Sequence, residues 1–201
     1  AEPYKAGEFG TAKLVEFDQM RGTTGSIGDL KKTIQDGWNA GATSMQQIDG
    51  TNNVRGFSFI PLQNNKNFMI GLNDMSSGVG YQEINYAVYC RSDKNLGIYQ
   101  AGSSKGNFGT YNAGDKIELL VTKGDSEVVV KVNGEMRYTF SGKPSLPLSI
   151  DASFSHRDGK IKDATWIADD YKAAEVGVGK LVEFQQMRGT TGKVGNLTKI
   201  N

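Results

Sequence analysis

The segment Leu148-Ser149-Ile150-Asp151-Ala152-Ser153-Phe154 places an apolar side chain at every second position. Successive side chains of a strand point to opposite faces, so a period of two describes a sheet with one face buried. Ile117, Leu119 and Val121 repeat the pattern, interleaved with Lys116 and Glu118. Comparable stretches recur, and the pattern predicts strands over 43–48, 54–60, 68–72, 86–91, 96–100, 116–122, 127–132, 136–140, 148–154 and 161–167. Between them lie the turn-forming clusters IDGTNN, QNNKN, RSDKN, TKGDS, VNGE and SHRDGK. Strands at this spacing without a convincing helix predict an all-β fold, an antiparallel two-sheet β-sandwich. Extended, loop-rich N- and C-terminal segments flank it.

One hairpin carries a sharper expectation. A two-residue Asn133-Gly134 turn sets Val130 opposite Arg137, whereas a three-residue loop sets Val128 and Val130 on one face with Met136 and Tyr138. A slip of one residue flips every side chain across the sheet. The three-residue loop, with Gly134 at positive φ, is therefore expected.

The chain also repeats itself. KLVEFDQMRGTTGSIGDL at 13–30 returns as KLVEFQQMRGTTGKVGNL at 180–197, and residues 1–34 match 168–201 at 21 of 34 positions without gaps. Average composition yields about two such identities by chance. Ala1 falls on Ala168 and Tyr4 on Tyr171. Either a unit of about 167 residues is tandemly repeated, or a 34-residue element brackets one domain. The expected divisions are 1–37 for the first copy, 38–167 for the sandwich and 168–201 for the second copy. Within the first copy, Lys13 to Gln19 reads as a strand holding Leu14 and Phe17. Gly22, Gly25 and Gly28 break regular structure after it, and Asp29 to Lys32 is read as loop. The second copy is expected to reach away from the sandwich.

Composition removes several function classes. Charged residues are 22% and nearly balanced, with a formal net charge of +1, so no basic excess points to nucleic acid. No apolar run approaches the ~18–20 residues of a membrane span. The single cysteine, Cys90, excludes an internal disulfide framework and leaves the compartment open. The start at Ala1 fits a removed leader or a trimmed chain.

The runs WNAGATSMQQIDG, GFSFIP, FMIGLND and INYAVYC resemble a concanavalin A-like sandwich domain, as do GIYQAGSSKGNFGTYNAGDKIELLV and VVVKVNGEMRYTF. The second half is similar to the SPRY pattern, with Gly114-Asp115 opening a strand and Asn133-Gly134 closing a hairpin. The resemblance covers about residues 38–167 and implies a sandwich of that kind. This fold hosts lectins, glycan hydrolases and protein-binding modules alike, so function rests on the residues.

The hydrolase branch needs paired carboxylates on one strand. No acidic residues alternate in that way; Glu83 and Asp151 stand alone and read as solvated or hydrogen-bonded strand residues. The only histidine, His156, sits in a turn, and Cys90 reads as a small core residue. No catalytic residue and no cofactor are assigned. Calcium is the one metal considered, because Asp49, Asp74, Asp93 and Asp158 lie in turns rich in Asn and Gly, yet turn chemistry explains them. GTTGSIG resembles a phosphate-binding loop but lacks the Lys-Ser/Thr ending. Two long connections, 74–85 and 102–115, are candidate ligand loops carrying Asp74, Tyr81, Asn107, Phe108, Tyr111 and Asn112. An aromatic ring beside an amide can stack on a sugar, and Tyr equally anchors protein partners.

These observations favour a non-catalytic interaction module of a repeat-containing structural, linker or scaffolding protein. Its expected partner is a protein or an adjacent repeat unit, with a glycan-binding lectin as the alternative. The partner-binding candidates in the flanks are Phe17, Met20, Arg21, Thr23 and Thr24, and Phe184, Met187, Arg188, Thr190 and Thr191. Two equivalent contacts in one chain raise avidity through effective concentration. Partner binding, measured by surface plasmon resonance, should therefore fall sharply in R21A/R188A and only partly in either single variant.

Overall fold

The structure is a computed structural model that describes residues 13–168, apart from 52, 75–77 and 123, together with 190–191 and 198–199. It divides into two units, Ala1–Asp169 and Asp170–Asn201.

The first unit is built from the alternating stretches. Strands β1 (Phe17–Arg21), β4 (Ala40–Ile48), β6 (Phe68–Asn73), β7 (Tyr86–Cys90), β8 (Asn95–Gln100), β9 (Ser103–Thr110) and β13 (Leu148–Phe154) form one sheet. Its order is β1-β4-β13-β6-β7-β8-β9. Strands β2 (Thr23–Thr24), β3 (Leu30–Lys32), β5 (Val54–Pro61), β10 (Ile117–Val121), β11 (Val128–Val132), β12 (Glu135–Thr139) and β14 (Lys160–Ala168) form the other. Its order is β12-β11-β10-β5-β14-β3-β2. The described pairings within both sheets are antiparallel. The fold is thus the expected two-sheet antiparallel β-sandwich.

The core lies between the sheets and comes from one phase of each alternation: Phe68, Ile70 and Leu72; Val88 and Cys90; Leu96 and Ile98; Ile117, Leu119 and Val121; Leu148, Ile150, Ala152 and Phe154. Burying each large aliphatic or aromatic side chain contributes about 1.5–3 kcal/mol. Phe57, Phe59, Phe68 and Phe154 form a chain of ring contacts at 6.0, 6.4 and 5.3 Å. Cys90 is fully buried there, and burial pushes its thiol well up.

The described residues of the first copy, 13–34, are part of this sandwich and not a separate flank. β1 pairs with β4, β3 with β14, and β2 with β3. The chain therefore passes from one sheet to the other within MRGTTG. Asp29 to Lys32, read as loop, supplies strand β3 because both β2 and β14 present partners for its backbone. The sandwich accordingly begins before residue 38.

Two further expectations are corrected. The hairpin between β11 and β12 has a two-residue turn, with Val132 opposite Glu135 and both Asn133 (φ 51°) and Gly134 (φ 82°) left-handed. That conformation suits Asn-Gly. A bulge then inserts Arg137 and brings Val130 opposite Tyr138. The bulge gives Tyr138 the expected facing without a longer loop, whereas Met136, opposite Lys131, lies on the other face and is exposed. The run 103–110, assigned to a long loop, is the edge strand β9. Its residues are largely exposed and its pairing with β8 is twice irregular, so neither alternation nor apolar content marked it.

In the second unit, β15 (Thr190–Thr191) pairs antiparallel with β16 (Thr198–Lys199).

Gly22 makes the crossing between sheets with φ of 64°, and a Cβ there would stand 2.5 Å from Ile34 Cδ1 and 3.0 Å from Ala40 Cβ. Gly134 is also left-handed, with nothing within 4 Å of its added Cβ. Gly134→Ala should cost about 1 kcal/mol, the left-handed penalty alone, and Gly22→Ala about 3 kcal/mol because overpacking adds to it. Urea denaturation of the two variants measures the difference.

Candidate functional site

On the face of the first sheet that points away from the core, the polar phase of β13 is covered. Ser149, Asp151 and Ser153 are buried, Asp151 at 3% exposure. The connection from β6 to β7 accounts for part of this: Ser153 Oγ donates to the Val79 carbonyl at 2.6 Å, and Val79 lies over Gly41. Asn73 Nδ2 donates to Asp151 Oδ2 at 3.0 Å. Asp151 is thus a hydrogen-bonded strand residue, as its isolation in sequence implied. Among the described residues no three His, Cys, Asp or Glu side chains converge on a position suited to a metal ion.

Further along the same face the alternation delivers aromatic rings. Val88 and Ile98 point inward, so Tyr89 of β7 and Tyr99 of β8 point outward, their rings 5.7 Å apart. Trp38 joins them from the β3–β4 connection, and Tyr81 from the 3₁₀ turn Tyr81–Glu83. Trp38 lies 4.8 Å from Tyr81 and 5.6 Å from Tyr89, and Tyr81 lies 6.0 Å from Tyr99. Met69, Ile84 and Ala87 form the buried floor beneath these rings. All four rings are half-buried, with one side packed and one side toward solvent.

Charge and an amide border the rings. The Arg91 guanidinium stands 5.5 Å over Tyr89, a favourable cation–π distance. It also donates to both oxygens of Asp93, at 3.2 and 2.9 Å. That charge-assisted pairing, helped by the Asn95 backbone N–H, holds the Asp93 carboxyl well below the usual carboxylate range. Burial pushes the Tyr89 phenol up, while the Arg91 cation acts in the opposite sense. Gly97 lies between Tyr89 and Asn107: a Cβ there would meet Tyr89 Cβ at 3.2 Å and Asn107 Oδ1 at 3.6 Å.

Of the loop candidates, Tyr81 belongs to this aromatic face and Asn107 borders it. Tyr111 does not: it is fully buried, and its hydroxyl donates to the Arg91 carbonyl at 3.0 Å. Burial explains this, since the ring fills the sandwich end beneath the turn of β7 and β8. Phe108 packs on Tyr138 at 4.5 Å and joins the edges of the two sheets. Asp74 and Asn112 are exposed turn residues, the Asp74 N–H donating to Asn85 Oδ1 and the Asn112 N–H to Asp115 Oδ2. Sequence reasoning passed over Trp38, Tyr89, Tyr99 and Arg91. The available signal was the phase of Tyr89 and Tyr99, opposite to that of Val88, Cys90, Leu96 and Ile98.

Of the flank candidates, Phe17 packs partly against the core, and Thr23 Oγ1 donates to the Gly41 carbonyl at 2.8 Å. Met20, Arg21 and Thr24 are exposed on the edge strands. Phe184, Met187 and Arg188 lie outside the described residues, and Thr190 and Thr191 form β15.

No protein-family profile matches the sequence, and no curated protein matches it. Solved structures do match. The SPRY domain of human HERC1 superposes with a TM-score of 0.59 at 13% identity, covering 76% of this chain and 98% of that one. A human SPRY domain gives 0.59 at 13% identity, covering 74% and 97%. The PSpry domain of TRIM65 gives 0.54 at 12% identity, covering 78% and 90%. The fold is therefore the concanavalin A-like sandwich of SPRY domains.

The depressed carboxyl of Asp93 has a consequence for acid stability. A group whose folded pKa lies below its unfolded value stabilises the fold above the ordinary Asp pKa of about 3.9, and that stabilisation disappears as pH falls through the folded value. The urea midpoint should therefore drop between about pH 6 and pH 2.5, and D93N should show a smaller drop. An equal drop in both proteins contradicts the assignment.

Proposed function

We propose that this chain is a non-catalytic protein-interaction module of a repeat-containing structural, linker or scaffolding protein, and that it grips its partner with the Trp38–Tyr81–Tyr89–Tyr99 face. One observation carries the reading: four half-exposed aromatic rings in mutual contact are mounted on a rigid sheet, with an arginine over one of them. Trp, Tyr and Arg dominate binding energy at protein interfaces, because they bury large areas with few rotatable bonds. The shared fold with SPRY domains supports the same class of function. The exposed Met20, Arg21 and Thr24 of the first copy, with their counterparts Met187, Arg188 and Thr191 in the second, are the second part of the proposed contact.

Asn107 beside Tyr89 favours one alternative, a glycan stacked on the ring with its hydroxyls on the amide. Selection against a displayed peptide library, alongside a glycan array, separates the two. Peptides enriched on the unaltered protein should bind Y89A and W38A at least about tenfold more weakly, with the melting temperature changed little. Peptide binding unaffected by both substitutions overturns the assignment of the face. Reproducible sugar binding lost in Y81A or N107A replaces the protein-partner reading with the lectin.

A further inference from the structure

Residues 13–32 occupy a defined slot at one edge of the sandwich. Val15 N–H donates to the Ala164 carbonyl at 2.8 Å, Gly28 N–H to the Val15 carbonyl, and Ala164 N–H to the Gly28 carbonyl. β1 is the edge strand beside β4, and β3 pairs with β14. Val15, Gly28, Leu30 and Lys32 are the buried members of this stretch. The Lys32 ammonium is fully enclosed, donating to Asn39 Oδ1 at 2.6 Å, to the Ser155 carbonyl at 2.8 Å, to the Phe154 carbonyl at 3.1 Å and to the Gly37 carbonyl.

Comparison of the two copies separates slot from surface. Between 13–32 and 180–199 the differences are Asp18 against Gln185, Ser26 against Lys193, Ile27 against Val194, Asp29 against Asn196 and Lys31 against Thr198. All five fall on exposed or half-exposed positions of the first copy. Every buried position is kept: Val182, Gly195, Leu197 and Lys199 stand for Val15, Gly28, Leu30 and Lys32. So does Gly189 for Gly22, where a Cβ would collide. Asn196 retains an oxygen able to accept the N–H of Asp163, as Asp29 Oδ1 does. A buried lysine is costly without its acceptors. Its retention beside the replaced surface lysine argues for the same enclosing slot.

An independent observation agrees. In the first unit Thr23 pairs with Lys32 and Thr24 with Lys31. In the second, Thr190 pairs with Lys199 and Thr191 with Thr198, the same register 167 residues on. The described residues of the second copy keep the same strand pairing.

We propose that residues 180–199 are a docking segment for a second copy of this chain, and that they fill its sandwich edge when its own residues 13–32 are out of place. The segment brings the buried set of the slot and, at 190–191 and 198–199, a strand pairing already in register. The vacated edge brings the unpaired backbone of β4 and β14 and the oxygens that surround the lysine. Main-chain pairing supplies attraction, and Val182, Leu197 and Lys199 supply specificity. This goes beyond the aromatic face and does not depend on it.

The test uses full-length chains. The acceptor, V15D/L30D/V182D/L197D and isotope-labelled, has both copies disabled. The donor is the unaltered chain, whose own slot is filled; the control donor carries V182D/L197D. The unaltered donor should form a 1:1 complex with the acceptor by light scattering. It should also slow amide exchange in acceptor residues 40–48 and 160–168 by at least about tenfold. The control donor should do neither. Equal behaviour of the two donors overturns the proposal. If the aspartates leave the acceptor insoluble, V15A/L30A/V182A/L197A takes its place with the same readouts. A W38A/Y89A donor should act like the unaltered one, so failure of the aromatic face and failure of the docking segment remain distinguishable.

Discussion

The ammonium of Lys32 is the interaction on which one end of the sandwich depends. Its three N–H donors are shared among four oxygens from two separate stretches: Gly37 and Asn39 of the β3–β4 connection, and Phe154 and Ser155 at the end of β13. Burial lowers its pKa, and the nearby Asp36 carboxylate acts in the opposite sense. A charge in such a place is stable only because the surrounding dipoles replace its water. Two of the acceptors, Gly37 and Asn39, flank Trp38 in the chain. The Gly37 N–H in turn donates to the Ser155 carbonyl at 2.8 Å. The same lysine therefore ties β3 to β13 and fixes the backbone that carries Trp38 onto the aromatic face. Fold closure and the candidate recognition surface share one anchor.

The two open sides of the sandwich are closed by different means. On one side the repeated motif crosses from sheet to sheet at Gly22, so a continuous chain joins β1 to β2. On the other, the edges β9 and β12 are joined by side chains: Phe108 on Tyr138, Tyr138 on Phe140 at 5.1 Å, and Phe140 on Tyr86 at 5.3 Å. The bulge at Arg137 serves this second closure. Without the extra residue, Tyr138 would point out of the sandwich and Phe108 would have no ring to meet. A local irregularity thus sets a long-range contact.

Alternation made most of this architecture legible. Strands such as 148–154 and 117–121 carry an apolar side chain at every second position, and the physics of a half-buried sheet leaves little choice. Strand β9 was hidden because Ser103–Thr110 is polar and glycine-containing, and an edge strand exposed on both faces needs no apolar phase. Strand β3 was hidden because three residues are too few to show a period. Tyr111 looked like a loop ligand because its sequence neighbours are small and polar; only tertiary packing reveals that it fills the sandwich end. The aromatic face was half legible. Tyr81 was visible among loop residues, but Tyr89 and Tyr99 were absorbed into strands and Trp38 lay at an assumed boundary. A site assembled from two strands and two connections has no contiguous signature, and the phase of each strand is the one trace it leaves.

The repeat illustrates the complementary point, that identity within a chain can be read as a contact map. A motif kept only for its surface would hold Asp18, Ser26 and Lys31 constant and let Val15 and Leu30 drift among apolar residues. The observed pattern is the reverse at these positions, and the buried lysine is kept where an exposed one is replaced. Exposed Met20, Arg21 and Thr24 are kept as well, so burial does not account for every identity. The remainder marks the outward strip of the edge, β1 and β2, as a surface under its own constraint. The first copy thus carries an inner phase packed into the sandwich and an outer strip exposed to solvent. Because successive strand residues face opposite ways, both can be encoded in the same short stretch without conflict.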